Sequence, residues 1–371
     1  MFTPQDEFFM QHALALAARG MNTTTPNPRV GCVLVKDDQI VGEGWHERAG
    51  SPHAEVVAIA AAGAHRAVGA TAYVTLEPCS HFGKTPPCAQ ALLDAGVTRV
   101  VAAMEDPNPQ VSGTGLAALR NRGMDVRCGL LAEQAADLNP GFIKRMTTGM
   151  PWVRAKSAAS IDGRTALPDG TSQWITDKTA RDDGHAWRAR ACAVLTGIGT
   201  VRKDNPQMTV RAVDTPRQPL RVIVDTRFEI DTQAAVLAGG NSLLAVGVDL
   251  SAAAYSDKAA MLRDHGVEVI HLPLESPQGK IDLPALMKHL ASRGCNEIHV
   301  EGGAQLTGAM MRHDLIDEWL VYLAPVFLGE GRPIAAGIGP WASVADAPRW
   351  RWKDQALIGD AVRLRLVKTE R

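Results

Sequence analysis

Net charge is what this sequence has least of. Lysine and arginine total 39 against 40 aspartates and glutamates, leaving a formal charge of −1 at pH 7, and no stretch concentrates basic residues. A surface built to hold a polynucleotide carries a basic stripe, so nucleic-acid substrates are disfavoured. No apolar run approaches the roughly 18 residues that a membrane span needs, so no membrane association is expected. The first residues, MFTPQDEFFMQH, carry acids where an export signal carries bases, and the expected location is cytoplasmic. Six cysteines spread over 371 residues are too sparse for a disulfide scaffold and are expected to be free or metal-bound. Internal repeats, low-complexity segments and the G-x-G-x-x-G dinucleotide fingerprint are all missing.

A hydrophobic content of 46% with 21% charged residues describes a soluble globular chain, and its length predicts two domains. A helical apolar spacing covers 6–18. VGCVLV (30–35) and QIVGEGW (39–45) read as strands joined by the Lys36–Asp38 turn. A helix over about 53–63, a strand at 70–77, a helix at 86–95, a strand at 98–104 and a helix near 113–122 follow. This alternation predicts an α/β layer structure with much parallel sheet. A helical stretch over 131–148 leads to TTGMPWV, which separates a domain 1–147 from a domain 150–371. In the second, strands are expected at 151–158, 192–196, 219–224, 242–248, 266–271, 296–301 and 317–325. Helices are expected near 177–190, 256–265, 282–293 and 303–313, with a closing hairpin at 354–367.

SPHAEVVAIAA (51–61) sets His53 and Glu55 at the head of an otherwise apolar helix. As a plain helix start, Ser51 would cap, Pro52 would take the first helical position and Glu55 would suit the dipole. That leaves His53 unexplained, and Ala54 stands where a capping box wants Glu or Gln. Further on, Cys79 follows a strand and Cys88 opens a helix in LEPCSHFGKTPPCAQALL (76–93). A catalytic zinc takes three protein ligands and keeps one position for water. His53, Cys79 and Cys88 supply three, leaving Glu55 as a spare carboxylate. Residues two apart do not share a helix face, but side chains tilt toward the helix N-terminus, so both can reach a site beyond the helix end. H-x-E followed by P-C-x(n)-C is the spacing of zinc-dependent nucleobase deaminases, although eight residues rather than two separate these cysteines. A closed structural zinc site with His81 as fourth ligand is the alternative.

TTPNPRVGCVLV, GEGWHERAGSPHAE and TLEPCSHFGKTPPCAQALL, occurring in that order, closely resemble the deaminase half of the bifunctional riboflavin-biosynthesis deaminase–reductase family over 6–145. The resemblance implies a cytidine-deaminase-like α/β/α domain with one zinc on His53, Cys79 and Cys88. It implies Glu55 as proton shuttle, and Asn27 and His46 as substrate contacts. Taken alone, Asn27 in PNP reads as a turn residue and His46 as a surface histidine.

The second half carries weaker signals. HVEGGAQLTGAM (299–310) is a strand, a glycine pair and a helix start, where the backbone can approach an anion or merely turn. LTGIGTVRKDNPQMTVR (195–211) is a second glycine-rich turn after a strand. SQWITDKTARDDGHAWRAR (172–190) puts Arg188 on a helix after an exposed-looking Trp174. With KSAASIDGRTA and VIVDT, these segments resemble the reductase half of the same family, in family order. That implies a dihydrofolate-reductase-like α/β domain using NADPH. By position, Ala158, Trp174, Thr200, Asp204 and Thr226 would line the cofactor site. The run Gly303, Ala304, Gln305, Leu306, Thr307, Gly308 and Ala309 would hold its phosphates. Ser172, Arg188, Met208, Arg211 and Glu301 would face the substrate, with Arg188 and Arg211 gripping its phosphate. Asp204 and Glu301 are the candidate general acids.

The expected function is therefore zinc-dependent deamination of a diaminopyrimidine ribose-phosphate to the uracil, then NADPH-dependent reduction of its ribosyl chain to ribityl. A homodimer or homotetramer is compatible with two sites on one chain. The competing readings are a nucleoside or nucleotide deaminase fused to an unrelated nucleotide-binding domain, a polynucleotide-editing deaminase, and a structural zinc module on a nucleotide sensor.

Overall fold

The computed structural model describes residues 1–63, 65–80 and 87–369. The chain divides into two compact units, Met1–Met150 and Pro151–Arg371. Among the described residues, no helix is long and apolar enough to cross a membrane.

The first unit runs α1 (Pro4–Ala18), β1 (Gly31–Lys36), β2 (Gln39–Trp45), α2 (Ala54–Ala62), β3 (Thr71–Val74), α3 (Cys88–Asp94), β4 (Arg99–Ala102), α4 (Thr114–Asn121), β5 (Asp125–Cys128), α5 (Ala132–Leu138) and α6 (Pro140–Thr148). Its sheet has the order β2-β1-β3-β4-β5, antiparallel as far as β3 and parallel beyond. Successive strand residues sort to opposite faces. Cys32, Leu34, Ala72, Val74, Val100 and Ala102 pack with α2, α3 and α4. Val33, Val35, Tyr73 and Val101 pack with α1 and α5. Three layers result.

Small residues decide where α2 lies. A side chain at Gly42 would stand 2.3 Å from the Ala58 carbonyl, and one at Gly44 would stand 2.6 Å from that of Ala54. These two glycines and the alanine-rich helix face bring β2 and α2 into backbone contact, which fixes the head of α2. Two sequence expectations change here. Strand β5 is added at the sheet edge. The helical stretch 131–148 is two helices, because Pro140 has no N–H to donate and the Asn139 side chain bonds both backbone groups of Arg29 at 2.8 and 2.9 Å.

The second unit runs β6 (Trp152–Ser160), β7 (Arg164–Ala166), α7 (Lys178–Arg190), β8 (Ala193–Gly197), α8 (Ile198–Asp204), β9 (Leu220–Val224), β10 (Ser242–Val246), α9 (Ala253–Asp264), β11 (Val267–His271), α10 (Leu283–Ser292), β12 (Glu297–Val300), α11 (Ala304–Arg312), β13 (Glu318–Ala324), β14 (Arg332–Pro333), β15 (Trp350–Ile358) and β16 (Ala361–Lys368). The large sheet has the order β11-β10-β9-β8-β12-β6-β13-β16-β15, and β7 pairs with β14 in a short ribbon. All strands from β11 to β13 are parallel, and β16 and β15 close the sheet antiparallel. The glycine-rich 195–211 segment is not only a turn, since α8 occupies its middle. The closing hairpin begins at Trp350 rather than 354.

Strand order locates a crevice. β8 leads through α8 to β9 on one side, whereas its neighbour β12 leads through α11 to β13 on the other. Adjacent parallel strands whose connections part in this way leave a gap at their carboxyl ends, and ligands of open α/β sheets bind there.

Candidate active sites

In the first unit, α2 starts at Ala54 and His53 is its N-cap residue, with extended backbone (ψ 161°) and no side-chain cap bond. Ser51 is therefore not the cap, and Pro52 lies outside the helix. The Ser51 hydroxyl bonds back to Arg48 instead. His53 is left free to turn its ring toward the cysteines. Its Nδ1 is 3.2 Å from Cys88 Sγ and 3.7 Å from Cys79 Sγ. The three ligand atoms all lie within 4.8 Å of one another.

This donor set fits zinc. Bonds of about 2.0–2.3 Å in tetrahedral geometry separate neighbouring ligand atoms by roughly 3.3–3.8 Å; the His53 Nδ1 distance to Cys79 Sγ falls in that range, and the distance to Cys88 Sγ lies just below it. The cysteines are held by the chain itself. Cys88 is the first residue of α3, and its amide donates to Cys79 Sγ at 3.3 Å. The Cys79 thiol is held well below its usual range by hydrogen bonds from Cys88 and the His53 ring, which outweigh burial. Cys88, the donor of that pair, is pushed up. His81 lies outside the described residues.

Glu55 stands in the first turn of α2 and is buried. Burial pushes its carboxyl up to about 7, and the Cys79 thiolate adds to this. A buried carboxyl near neutrality can both take and give a proton. Asn27 and His46 meet at the same place. Asn27 Nδ2 lies 3.0 Å from His46 Nε2, the His46 Nδ1 lies 3.1 Å from the Pro52 carbonyl, and the His46 and His53 rings stand 5.3 Å apart edge to face. Burial lowers the pKa of His46. The neutral ring that donates to Pro52 and accepts from Asn27 satisfies both bonds. His46 is thus a buried neighbour of the ligand histidine and not the surface residue its local sequence suggests.

In the second unit, Glu301 follows β12, and its backbone is clamped to β8 through the Leu195 carbonyl and the Thr196 hydroxyl. Arg188, near the end of α7, forks onto Glu301 at 2.7 and 2.9 Å and donates its remaining nitrogen to the Thr209 carbonyl. At 12% side-chain exposure it is no surface arginine. Burial alone would raise the Glu301 carboxyl, but Arg188 outweighs it and holds the group far below the carboxylate range. Glu301 is therefore ionised at neutral pH and is not a ready general acid. Arg211 is exposed, and its guanidinium reaches Gln207 and Thr209 at 3.1 and 2.8 Å. Met208, between them in sequence, is buried.

The remaining expected cofactor residues gather less tightly. Gly303 caps α11 with no side-chain cap bond, and a Cβ there would stand 3.7 Å from the Thr200 hydroxyl of α8. Those two residues face each other across the crevice, where first-turn amides suit an anion. Within the 303–309 run, Ala304, Gln305, Leu306 and Ala309 are at least partly accessible, whereas Thr307 and Gly308 are buried, the latter against the Ala336 carbonyl. Ala158 lies half-buried on β6, Asp204 ends α8 exposed, and Thr226 follows β9. Ser172 is half-buried. Trp174 is 70% exposed with the Arg181 guanidinium 4.3 Å above its ring.

Three neighbours of Glu301 escaped the sequence reading. His299 is fully buried 3.5 Å from the Glu301 carboxylate, and burial pushes it down to about 3. His185 accepts the Arg211 amide at 3.2 Å and is pushed down to about 4 by burial and by Arg188 and Arg211. Burial also lowers Lys156, on β6. The period-two row Glu297, His299, Glu301 in NEIHVEGG was the readable signal, since strand alternation puts all three on one face.

Comparison with known proteins matches each unit to a family. Residues 3–104 match the cytidine and deoxycytidylate deaminase zinc-binding region, and residues 151–369 match the RibD C-terminal domain. The riboflavin biosynthesis protein RibD of Escherichia coli is 45% identical, with 98% of this chain and 99% of that protein covered. Its namesake from Haemophilus influenzae is 44% identical, covering 98% and 97%. A RibD structure from Acinetobacter baumannii superposes with a TM-score of 0.88 at 42% identity, covering 99% of both chains. A diaminohydroxyphosphoribosylaminopyrimidine deaminase/5-amino-6-(5-phosphoribosylamino)uracil reductase from Thermotoga maritima does so with 0.86 at 33% identity, covering 98% and 99%.

A cytidine-deaminase-type zinc domain followed by a dihydrofolate-reductase-like domain defines a bifunctional deaminase and reductase. The chain belongs to the RibD family, whose enzymes serve riboflavin biosynthesis.

Proposed function

We propose that the first unit hydrolyses the exocyclic amine of a diaminopyrimidine carrying a phosphoribosylamino group, and that the second reduces the ribosyl chain of the resulting uracil to ribityl with NADPH. The observation that carries the first half is the convergence of His53, Cys79 and Cys88 with the buried Glu55. The names of the relatives support the order of the two reactions.

One zinc held by His53, Cys79 and Cys88 would supply Lewis-acid activation of the attacking water near neutral pH. Glu55 takes a proton from that water and delivers it to the departing nitrogen. A C–O bond forms, the C–N bond breaks and ammonia leaves. Asn27 and His46, locked together, present a fixed polar wall to the pyrimidine.

NADPH would supply the hydride in the second unit, becoming NADP⁺ as the sugar carbon next to nitrogen is reduced. The first-turn amides of α11 after Gly303, with Thr200 across the crevice, are suited to its phosphates. Ala158, Trp174, Asp204 and Thr226 would border the rest. Arg188 holds Glu301 as a fixed carboxylate for the sugar hydroxyls, Ser172 and Met208 would face the same substrate, and the exposed guanidinium of Arg211 would take the substrate phosphate through paired bonds.

Zinc content and ammonia release by the purified protein test this reading. One zinc per chain and one ammonia per pyrimidine are expected. A metal held by four protein ligands, with no ammonia released, would contradict it.

A further inference from the structure

Glu77 follows β3 two residues before Cys79, and at 3% exposure it is buried. Its carboxylate is bonded by four backbone amides. One oxygen accepts from Gly115 and Leu116 at 2.8 and 3.1 Å, and the other from Asp106 and Gly113 at 3.0 and 2.9 Å. Two further straps join the same segments. Gly115 seats so close that a Cβ there would stand 1.9 Å from the Pro78 carbonyl. The hydroxyls of Ser80 and Thr114 meet at 2.6 Å. Residues 77, 78 and 80 are therefore all tied to the head of α4, and Cys79 is the residue they bracket.

Resting on the zinc assignment above, we infer that Glu77 is a positioning residue for the metal: by bonding the 106–116 segment it fixes the backbone that aims the Cys79 sulfur. The donor pattern makes a carboxylate obligatory. A glutamine keeps one oxygen and can satisfy two of the four amides, while its NH₂ meets the other two donor to donor. Outer partners of this kind set metal affinity by about 10–100-fold.

The test uses the full chain. Zinc affinity is measured by competition with a chromogenic chelator, and the cobalt-substituted protein is examined for its thiolate-to-metal absorption band. Glu77→Gln is expected to bind zinc about 10–100-fold more weakly and to shift the cobalt band at saturating metal. NADPH-dependent reduction of separately prepared deaminated substrate is expected to persist, which reports a folded chain. If Glu77→Gln does not fold, Ser80→Ala removes an outer strap near the surface and is expected to weaken zinc by roughly 2–10-fold. Unchanged affinity and cobalt band in the folded variant would overturn the inference. So would weaker binding with an unshifted band, because that reports lost stability and not a redirected sulfur. A wild-type protein that takes up no zinc would overturn the zinc assignment, and this inference with it.

Discussion

Both nitrogens of the Arg188 fork are spent on Glu301, at 2.7 and 2.9 Å, across 113 residues of chain. The third goes to the Thr209 carbonyl. Three of the five N–H donors of Arg188 are thus committed within the protein and two remain, so of the two arginines proposed to grip the phosphate Arg211 has the more open guanidinium. Arg211 keeps its guanidinium exposed on the segment that Arg188 holds.

Arg211→Ala is accordingly expected to lower reductase kcat/KM by roughly 10–100-fold, since a hydrogen bond to a charged group contributes about 1.5–3 kcal/mol. A dephosphorylated substrate should be poor for the wild type and nearly indifferent to the substitution. Equal fractional losses on the two substrates would show that Arg211 does not read the phosphate.

Glu318 predicts an acid limb of stability. It is 1% exposed, and burial would raise its carboxyl, but Arg154 and Arg365 outweigh this and hold it at about 2 against an ordinary 4.5. A depressed carboxylate stabilises the folded state above its unfolded pKa and loses that contribution as pH falls through the folded value. Unfolding free energy should thus decline between about pH 4.5 and 2. Glu318→Gln should be less stable at neutral pH and decline less steeply over that window. Parallel urea-denaturation profiles for the two proteins would contradict this.

Cys79→Ser should abolish zinc binding and ammonia release, because a hydroxyl is a poor zinc ligand beside thiolates. Reduction of prepared deaminated substrate should continue. Loss of both activities in a folded variant would argue against separate sites.

Glu55→Gln should retain zinc and lose deamination by at least about 10²-fold, the lower end for a general acid–base group. Near-normal ammonia release from the zinc-loaded variant would remove Glu55 from the proton transfers.

Much of the deaminase site was legible because its chemistry is written in local motifs. His53, Glu55, Cys79 and Cys88 sit at strand and helix ends that periodicity can find. The plain-cap alternative fails for a tertiary reason: Ser51 and Pro52 look like a helix start, whereas the tight β2–α2 contact puts the first turn at Ala54. His46 looked like a surface residue because its partners, Asn27 and the Pro52 carbonyl, come together only in the fold. In the reductase site the decisive bonds span more than a hundred residues. No window of sequence shows that Arg188 closes on Glu301, or that this pairing keeps Glu301 ionised. α8 was hidden by the two glycines that begin it.

The central claim is that one chain deaminates first and reduces second, at two sites. The direct measurement follows ammonia release and NADPH oxidation together, with the diaminopyrimidine ribose-phosphate as substrate, before and after zinc removal by a chelator. The account predicts equal amounts of the two products, with NADPH oxidation lagging ammonia. After zinc removal both should stop, and NADPH oxidation alone should return when deaminated substrate is supplied. Oxidation of NADPH by the zinc-free protein on the original substrate, without ammonia, would contradict it.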